Sequence, residues 1–548
     1  MTTREIITFQ FGNYSNYIGA HWWNTQEAGF NYDPTSVPSE INHDVLFREG
    51  QDYRGNVTFT PRLLLVDLAG SLKHLPEDGA LYSQPTSDAQ QDILWEEDDG
   101  IEIVQNDPSE KPEFQRDLED PEVNMEAKTY NLSENVNTWT DFLYSRYHPR
   151  SINVVRDYKH SDEKESLDTF SNGNTLWRTE MFQEDFCDRI RLYVEECDFL
   201  QGFQNIFDIS NGFSGLSLSC LEYLNEEYSK SCLAVPVFTP RSVFYENADE
   251  AMSNAIRIVN IALSYNSLIE HSSMFLPLSL NGREWKTPGD PRKFPFLNYK
   301  KDNMYETSAI LSTYLDTLSL KYRFKNAASY LPGFCSDLTN YGRKLTSAAL
   351  SLPFKMQSQE DLIDCLDKFE GDVFTQISPN TEIGTDYVVQ SAFVRGIPKN
   401  RLKRPMQNAQ LQMRMAAYRC DNVSEMFQLY FQCKNHASLA HVAAMPTPMA
   451  TKLPFPSEMF DSKINFEGFI GDFDRKTEDK VLFTPTLATV QSSGDIAHTL
   501  ETLHREAERI KIKKIHRFRE TGFEEDEYEE MLENLLQFKD NYEDNYEL

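Results

Sequence analysis

The chain has 548 residues, of which 40% are hydrophobic and 12% aromatic, and it carries a formal net charge of -33. A chain of this length exceeds the size at which one hydrophobic core stops growing, so we expect two or three packed domains. This charge repels phosphate backbones and anionic lipid headgroups, which argues against nucleic-acid binding. No stretch approaches the ~18 consecutive apolar residues of a membrane-spanning helix.

The eight cysteines form no C-x-x-C pair and have no histidine spacing that would build a zinc site. We therefore expect reduced thiols and no metal. The opening, MTTREIITFQFG, has neither the basic and apolar regions of a signal peptide nor the Arg-rich pattern of a transit peptide. These features indicate the cytoplasm.

Two apolar segments near the start predict an α/β layer. Alternating apolar residues at positions 7–11 predict a strand that ends at Gly12, and residues 13–29 suit a helix. The run at 61–70 is continuously apolar, which is typical of a strand buried on both faces of a parallel sheet.

Residues 92–126 form a strongly acidic stretch, with fourteen acidic residues, two basic ones and three prolines. Such a composition cannot bury enough apolar surface to offset the entropy of ordering. We therefore expect a disordered insert that does not belong to the core.

A second β-loop-α-β unit is predicted from a strand at 199–208, a loop at 209–217, a helix at 218–230 and a strand at 231–238. After a break rich in proline and glycine at 281–296, further helices and strands follow, and the chain ends in a helical region. The predicted domain map is 1–91 for the first part of an α/β domain, 92–126 for the acidic insert, 127–280 for the rest of that domain, 281–494 for an α+β domain, and 495–548 for C-terminal helices with an acidic tail.

Several segments resemble the tubulins, in the order in which tubulins carry them. They are REIITFQFGNYSNYIGAHWW, PRLLLVDL, CDFLQGFQ, EEYSKSCLAVPVFTP, SAFVRG and SSGDIAHTLETL. The close, FRETGFEEDEYEEMLENLLQFKDNYED, resembles the last two tubulin helices and their acidic tail. The resemblance covers most of the chain.

The departures from tubulin indicate one branch of this superfamily. Tubulins carry a glycine-rich loop, G-G-G-T-G-S-G, whose backbone N–H groups approach phosphate because no Cβ intervenes. Residues 210–216 read SNGFSGL instead, and Phe213 and Leu216 are expected to fill the phosphate cradle. No counterpart of the tubulin catalytic loop occurs between 275 and 299. With its acidic insert and a Phe/Tyr-rich start, the chain is similar to the Misato family.

This resemblance implies a tubulin-like α/β fold, in which an N-terminal Rossmann-like parallel sheet has helices on both faces and is followed by a second α+β domain and C-terminal helices. It implies a protein of the cytoplasm and the mitochondrial outer surface that does not assemble and that regulates mitochondrial distribution, morphology and network fusion. The alternative it implies is a GTP-binding protein needed for spindle microtubule assembly and chromosome segregation. Expected partners are proteins of the mitochondrial surface or the cytoskeleton, with tubulin and a chaperonin as candidates.

Gly12, Asn13 and Gly212 are the residues expected to form a vestigial nucleotide site that binds GTP weakly or not at all. A glycine that ends a strand is more often a simple turn residue. Asp67 is interpreted as a capping carboxylate. No catalytic residue, metal ligand or required cofactor is predicted, and Ser214 does not complete a Gly-x-Ser-x-Gly motif.

The C-terminal region combines opposite charges. Arg505 to Arg519 contains seven basic residues, whereas Glu524 to Glu547 contains eleven acidic ones. We interpret the two runs as neutralising each other, although the basic run could also bind an acidic partner. The apolar positions of the last helix are expected to pack on the body of the protein.

Overall fold

The computed structural model describes residues 4–30, 39–51, 55–77, 111–160, 166–241, 248–285, 287–325, 329–382, 388–404, 414–434, 437–476 and 479–543. In chain order the strands are β1 (Ile6–Phe11), β2 (Phe47–Gln51), β3 (Val57–Pro61), β4 (Leu63–Ala69), β5 (Ile152–Lys159), β6 (Gly202–Asp208), β7 (Ser231–Val237), β8 (Met274–Phe275), β9 (Ser347–Ser351), β10 (Thr375–Gln376), β11 (Val389–Arg395), β12 (Leu439–Met445), β13 (Met449–Ala450), β14 (Phe483–Thr484) and β15 (Thr486–Ser492).

The α-helices are α1 (Asn13–Ala28), α2 (Glu113–Glu119), α3 (Leu132–Asn135), α4 (Phe170–Trp177), α5 (Cys187–Glu195), α6 (Phe213–Tyr228), α7 (Ala248–His271), α8 (Met304–Arg323), α9 (Leu331–Leu338), α10 (Leu362–Asp367), α11 (Ala416–Arg419), α12 (Val423–Cys433), α13 (Ile496–Glu508), α14 (His516–Glu520) and α15 (Glu525–Asp540). A π-helical segment, Met181–Phe186, leads into α5.

The first sheet has six parallel strands in the order β5-β4-β1-β6-β7-β8. Its central strands are buried on both faces, because successive side chains of a strand point to opposite sides and helices cover each side. Ile6 packs with α1 and α8 on one face, whereas Ile7 and Phe9 pack with α5, α6 and α7 on the other. The tubulin-like α/β fold predicted from the sequence is confirmed.

The second sheet has five strands in the order β10-β9-β15-β11-β12, and only the pair β11–β12 is parallel. A buried ionic cluster joins this sheet to α8. Asp316 of α8 accepts from Arg323 at 2.7 Å and from Arg395 of β11 at 2.6 Å. Arg323 also donates to Gln26 of α1 at 2.8 Å, so the cluster connects α1, α8 and the second sheet.

The acidic stretch is only partly outside the described residues, and the prediction of disorder is wrong for residues 111–126. Residues 113–119 form α2, whose Phe114 is 2% exposed and packs edge to face on Tyr130. The Gln115 side chain donates to three backbone carbonyl groups between Thr140 and Leu143. Residues 92–110 lie outside the described part of the chain.

The C-terminal helices pack on the body of the protein. Met531 and Leu535 of α15 are buried in the same core as α7 and α13. Four cations of the basic run pair with carboxylates, as Arg505–Glu501, Arg509–Glu506, Lys513–Glu525 and Arg517–Asp168. No described helix combines the length and apolar character needed to cross a membrane.

Candidate functional site

The carboxyl ends of β1 and β6 lie side by side, and a helix begins after each of them. β1 ends at Phe11 and α1 begins at Asn13, whereas β6 ends at Asp208 and α6 begins at Phe213. Open α/β sheets bind ligands at this edge, and helix N-termini there carry free N–H groups that favour anions. The predicted residues Gly12, Asn13 and Gly212 all belong to these two turns.

A carboxyl group from the chain itself lies at the start of α1. The Asp208 carboxylate accepts the backbone N–H of Tyr14 at 3.1 Å and that of Ser15 at 2.8 Å. Gly12 has a φ of +105°, and a Cβ added to it would lie 2.6 Å from Asp208 Oδ2. The space left by this glycine is therefore filled by the Asp208 carboxylate.

Burial raises the pKa of Asp208 to about 7, the hydrogen bonds from Ser15 and Tyr14 oppose this rise, and the nearby Asp67 adds to it. Because the folded pKa lies above the unfolded value, the native state binds the proton more tightly than the unfolded state does. The contribution of Asp208 to stability is therefore fully present below about pH 4 and is lost as the pH rises through about 7.

We expect Asp208→Asn to remove this pH dependence. Between pH 4.5 and pH 8, the free energy of unfolding of the wild type should fall relative to that of Asp208→Asn, by about 3 kcal/mol. Urea unfolding at a series of pH values measures this difference. Parallel pH profiles for the two proteins would show that Asp208 does not titrate in this range.

Asp67, at the end of β4, has a structural set of partners. Its Oδ2 accepts from Asn16 of α1 and from the indole N–H of Trp139, both at 2.9 Å, and its Oδ1 accepts the Leu68 N–H at 2.9 Å. Burial raises the pKa of this carboxyl group. In the part of the chain that the structure describes, no group of three or more His, Cys, Asp or Glu side chains could hold a metal ion.

The loop before α6 is covered by the segment that leads into α4. The Gly212 N–H donates to the Leu167 carbonyl oxygen at 3.0 Å, and the Phe213 N–H donates to Asn211 Oδ1 at 3.1 Å. A Cβ on Gly212 would lie 2.7 Å from both Leu167 Cγ and the Thr169 carbonyl oxygen. This glycine permits close packing of protein on protein.

Helix α4 then crosses directly over the start of α6. A Cβ on Gly215 would lie 1.9 Å from the Phe170 carbonyl oxygen, and one on Gly173 would lie 1.8 Å from the Gly212 carbonyl oxygen. Phe213 and Leu216 belong to the hydrophobic core on this face of the sheet. The backbone of α4 and of the segment that leads into it therefore covers the N-terminus of α6. The side chains of Phe213 and Leu216, which the sequence predicted to fill this space, do not cover it.

A pocket of about 690 Å³ lies between Tyr17 of α1 and Tyr305 of α8, whereas the cavity beside Tyr14 is small. This cavity measures about 10 Å³ and is lined by residues that include Tyr14, Tyr299 and Thr307. This volume is close to that of one water probe. The Tyr14 side chain that lines this cavity is 1% exposed.

Sequence reasoning placed Gly12, Asn13 and Gly212 at one edge of the sheet, and the structure locates them there. Asn13 Oδ1 is buried and has no hydrogen-bond partner among the described residues. Sequence reasoning missed Asp208 and Tyr14. The signal available for Asp208 was an acidic residue at the last position of a strand that is buried along its whole length.

Comparisons with known proteins agree with this architecture. A family model described as Misato Segment II tubulin-like domain matches residues 4–120, and one described as Tubulin domain matches residues 129–324. Protein misato of Drosophila melanogaster is 44% identical, over 99% of this chain and 99% of the relative. The chain belongs to the Misato family.

Other Misato relatives extend the match. Protein misato homolog 1 of Homo sapiens is 31% identical, over 97% of this chain and 96% of the relative. Protein DML1 of the fungus Phaeosphaeria nodorum is 30% identical, over 59% of this chain and 60% of the relative. The resemblance to the Misato family, predicted from the altered loop at 210–216, the acidic insert and the Phe/Tyr-rich start, is thereby confirmed.

Proposed function

We propose that this chain is a tubulin-like scaffold that neither assembles into filaments nor turns over nucleotide, and that acts through protein partners on mitochondrial distribution, morphology and network fusion. The observation that carries the proposal is the Asp208 carboxylate on the Tyr14 and Ser15 N–H groups. A phosphate at the start of α1 would have to displace a carboxylate that belongs to the fold.

The magnitude of this obstacle follows from the contacts that are lost. A hydrogen bond to a charged group contributes about 1.5–3 kcal/mol, so losing two of them weakens a micromolar site by roughly two to four powers of ten. The cavity of about 10 Å³ beside Tyr14 and Thr307 is itself too small for a base and ribose, whereas a pocket of about 690 Å³ lies beside Tyr17 and Tyr305. GTP is therefore expected to bind no tighter than about millimolar, through Gly12, Asn13 and Gly212.

Membership in the Misato family supports the mitochondrial role, and the acidic surface is consistent with attachment through proteins and not through anionic lipid. On this proposal the chain resides in the cytoplasm and peripherally on the outer surface of mitochondria. Tubulin and a chaperonin are candidate partners, and nucleic acid is not one.

Isothermal titration of the full chain with GTP and magnesium is expected to give no binding tighter than about millimolar. The same protein should stay in the supernatant when it is centrifuged with excess GTP, with purified tubulin as the positive control. A dissociation constant in the low micromolar range, or GTP-dependent pelleting, would contradict the proposal. That result would favour a GTP-binding protein that acts on spindle microtubules.

A rescue experiment tests the role in cells. After depletion of the endogenous protein, Asn13→Ala is expected to restore the mitochondrial network as fully as the wild type, because Asn13 Oδ1 makes no hydrogen bond with any described residue and nucleotide is not needed on this proposal. Network shape is scored by fluorescence microscopy and protein level by immunoblot. Spindle defects with a normal mitochondrial network would overturn the mitochondrial assignment.

A further inference from the structure

We propose that the open edge of the second sheet, at β12, binds an extended segment of a partner polypeptide as an added strand. Such a surface would give the scaffold function proposed above one docking site and rests on that function. The experiment below is nevertheless separable from it, because strand addition does not involve nucleotide.

The direction of the backbone groups follows from the pairing of β12 with β11. The two strands run parallel, in register from Val389–Leu439 to Arg395–Met445. The Leu439 N–H donates to the Val388 carbonyl oxygen and the Gly396 N–H donates to the Met445 carbonyl oxygen. Odd-numbered residues of β12 therefore face β11.

In a parallel ladder the intervening residues direct their N–H and C=O groups to the other side. These residues are Ala440, Val442 and Ala444. No described residue forms a hydrogen bond with the backbone of any of the three. Ala440 is 3% exposed, so the accessible part of this edge consists of the N–H and carbonyl groups of Val442 and Ala444.

Both faces of β12 are nevertheless packed, so the edge is held in place. Ala440 belongs to the core that contains α12, and Met445 packs with Leu320 of α8 and Phe393 of β11. The Lys321 ammonium group donates to the His441 carbonyl oxygen at 2.9 Å. A partner strand would meet a preformed template, which lowers the entropy lost on binding.

Among the outer strands of the two larger sheets in the described part of the chain, β12 is the one without protection. β5, an edge of the first sheet, carries Arg156, Asp157 and Lys159, and its register with β4 is broken near Ala69. The edge strands β8 and β10 have two residues each. β12 has seven residues without charge, proline or bulge, and such an edge is a ready template for strand addition.

The chemistry of the partner follows from charge and side-chain size. The chain carries a net charge of -33, which attracts a segment with cationic flanks and repels a second copy of the same chain. Ala443 and Ala444 are only partly buried and have small side chains, so β-branched side chains of the partner can lie beside them. The expected occupant is an extended segment of alternating β-branched residues with lysine or arginine at its ends.

The probe is a fluorescein-labelled peptide, KVTVTVTK, titrated with the full chain and followed by fluorescence anisotropy. The matched control peptide has the same sequence with N-methyl groups on alternate residues. It therefore keeps its charge but lacks the backbone N–H donors along one edge. The unmodified peptide is expected to bind about tenfold or more tightly than the N-methylated one. Equal affinity would show attraction by charge alone and would overturn the proposal.

Two variants locate the binding at the edge. Val442→Pro removes an outward N–H without removing a bond to β11, and proline is tolerated at such a position on an edge strand. Val442→Pro should weaken peptide binding about tenfold, whereas the affinity of Val442→Ala for the peptide should be within about twofold of that of the wild type. Unchanged binding by a folded Val442→Pro would place the peptide elsewhere and overturn the proposal.

Amide exchange of the wild type decides the matter if Val442→Pro fails to fold. Saturating peptide should slow the exchange of the Val442 and Ala444 N–H groups, and unchanged exchange would contradict strand addition. Sedimentation without peptide should show a monomer. A dimer abolished by Val442→Pro would mean that a second copy occupies the edge, against the partner proposed.

Discussion

Replacing Asp316 by alanine is expected to lower the free energy of unfolding by about 3–5 kcal/mol. Asp316 is 4% exposed and holds both Arg323 and Arg395 within 2.7 Å. Both guanidinium groups are also buried, so the variant leaves two cations without their carboxylate in a medium of low dielectric constant. Most of the expected loss is this uncompensated desolvation, and the net contribution of the cluster itself is smaller.

Urea unfolding followed by circular dichroism measures the loss. The matched control is Glu77→Ala, which breaks an exposed ion pair with Arg156 and should change stability by less than about 1 kcal/mol. Because the cluster joins α8 to the second sheet, Asp316→Ala is also expected to make the unfolding transition less cooperative. A cost as small as that of Glu77→Ala would mean that water reaches the cluster.

Phe114→Ala should destabilise the protein by about 3–5 kcal/mol, because it empties a buried aromatic site. Phe114 is 2% exposed, and its ring centroid lies 5.5 Å from that of Tyr130. The control Phe473→Ala makes the same chemical change at a side chain that is 88% exposed, and it should cost less than about 0.5 kcal/mol.

Thermal unfolding of the two variants side by side gives the comparison. Equal melting temperatures would mean that α2 does not pack stably and would restore the prediction of disorder for residues 111–126. A large difference would show that the end of the acidic stretch is part of the folded domain.

Much of the fold could be predicted because the local signals agree with the tertiary structure. The alternation of Ile7, Phe9 and Phe11 marks one face of β1, and the unbroken run at 63–69 marks a strand covered on both sides. The prediction of disorder failed at the end of the acidic stretch because the average composition does not reveal one buried aromatic residue. The burial of Phe114 and the three hydrogen bonds of Gln115 stabilise this segment despite the surrounding charge. Neither contribution could be estimated from the sequence, because it does not show which residues contact these two side chains.

The candidate site was only partly predictable, for a geometric reason. A glycine in the sequence shows that a Cβ is missing, but it does not show what fills the vacant volume. At Gly12 that volume holds Asp208, and at Gly212 it holds Leu167 and Thr169, each distant along the chain or on another element. The predicted domain boundaries and the vestigial nucleotide role of Gly12, Asn13 and Gly212 stay predictions.

The Asp208 contact also bears on how the folded protein is maintained in a living cell. A protein stabilised by a dissociable ligand has a folded population that follows the ligand's concentration. Asp208 is tethered to the helix it satisfies, so its effective concentration there is set by the geometry of the chain and not by metabolism. On the proposed function, in which no nucleotide is bound, the folded population of this tubulin relative should be insensitive to the concentration of guanine nucleotides.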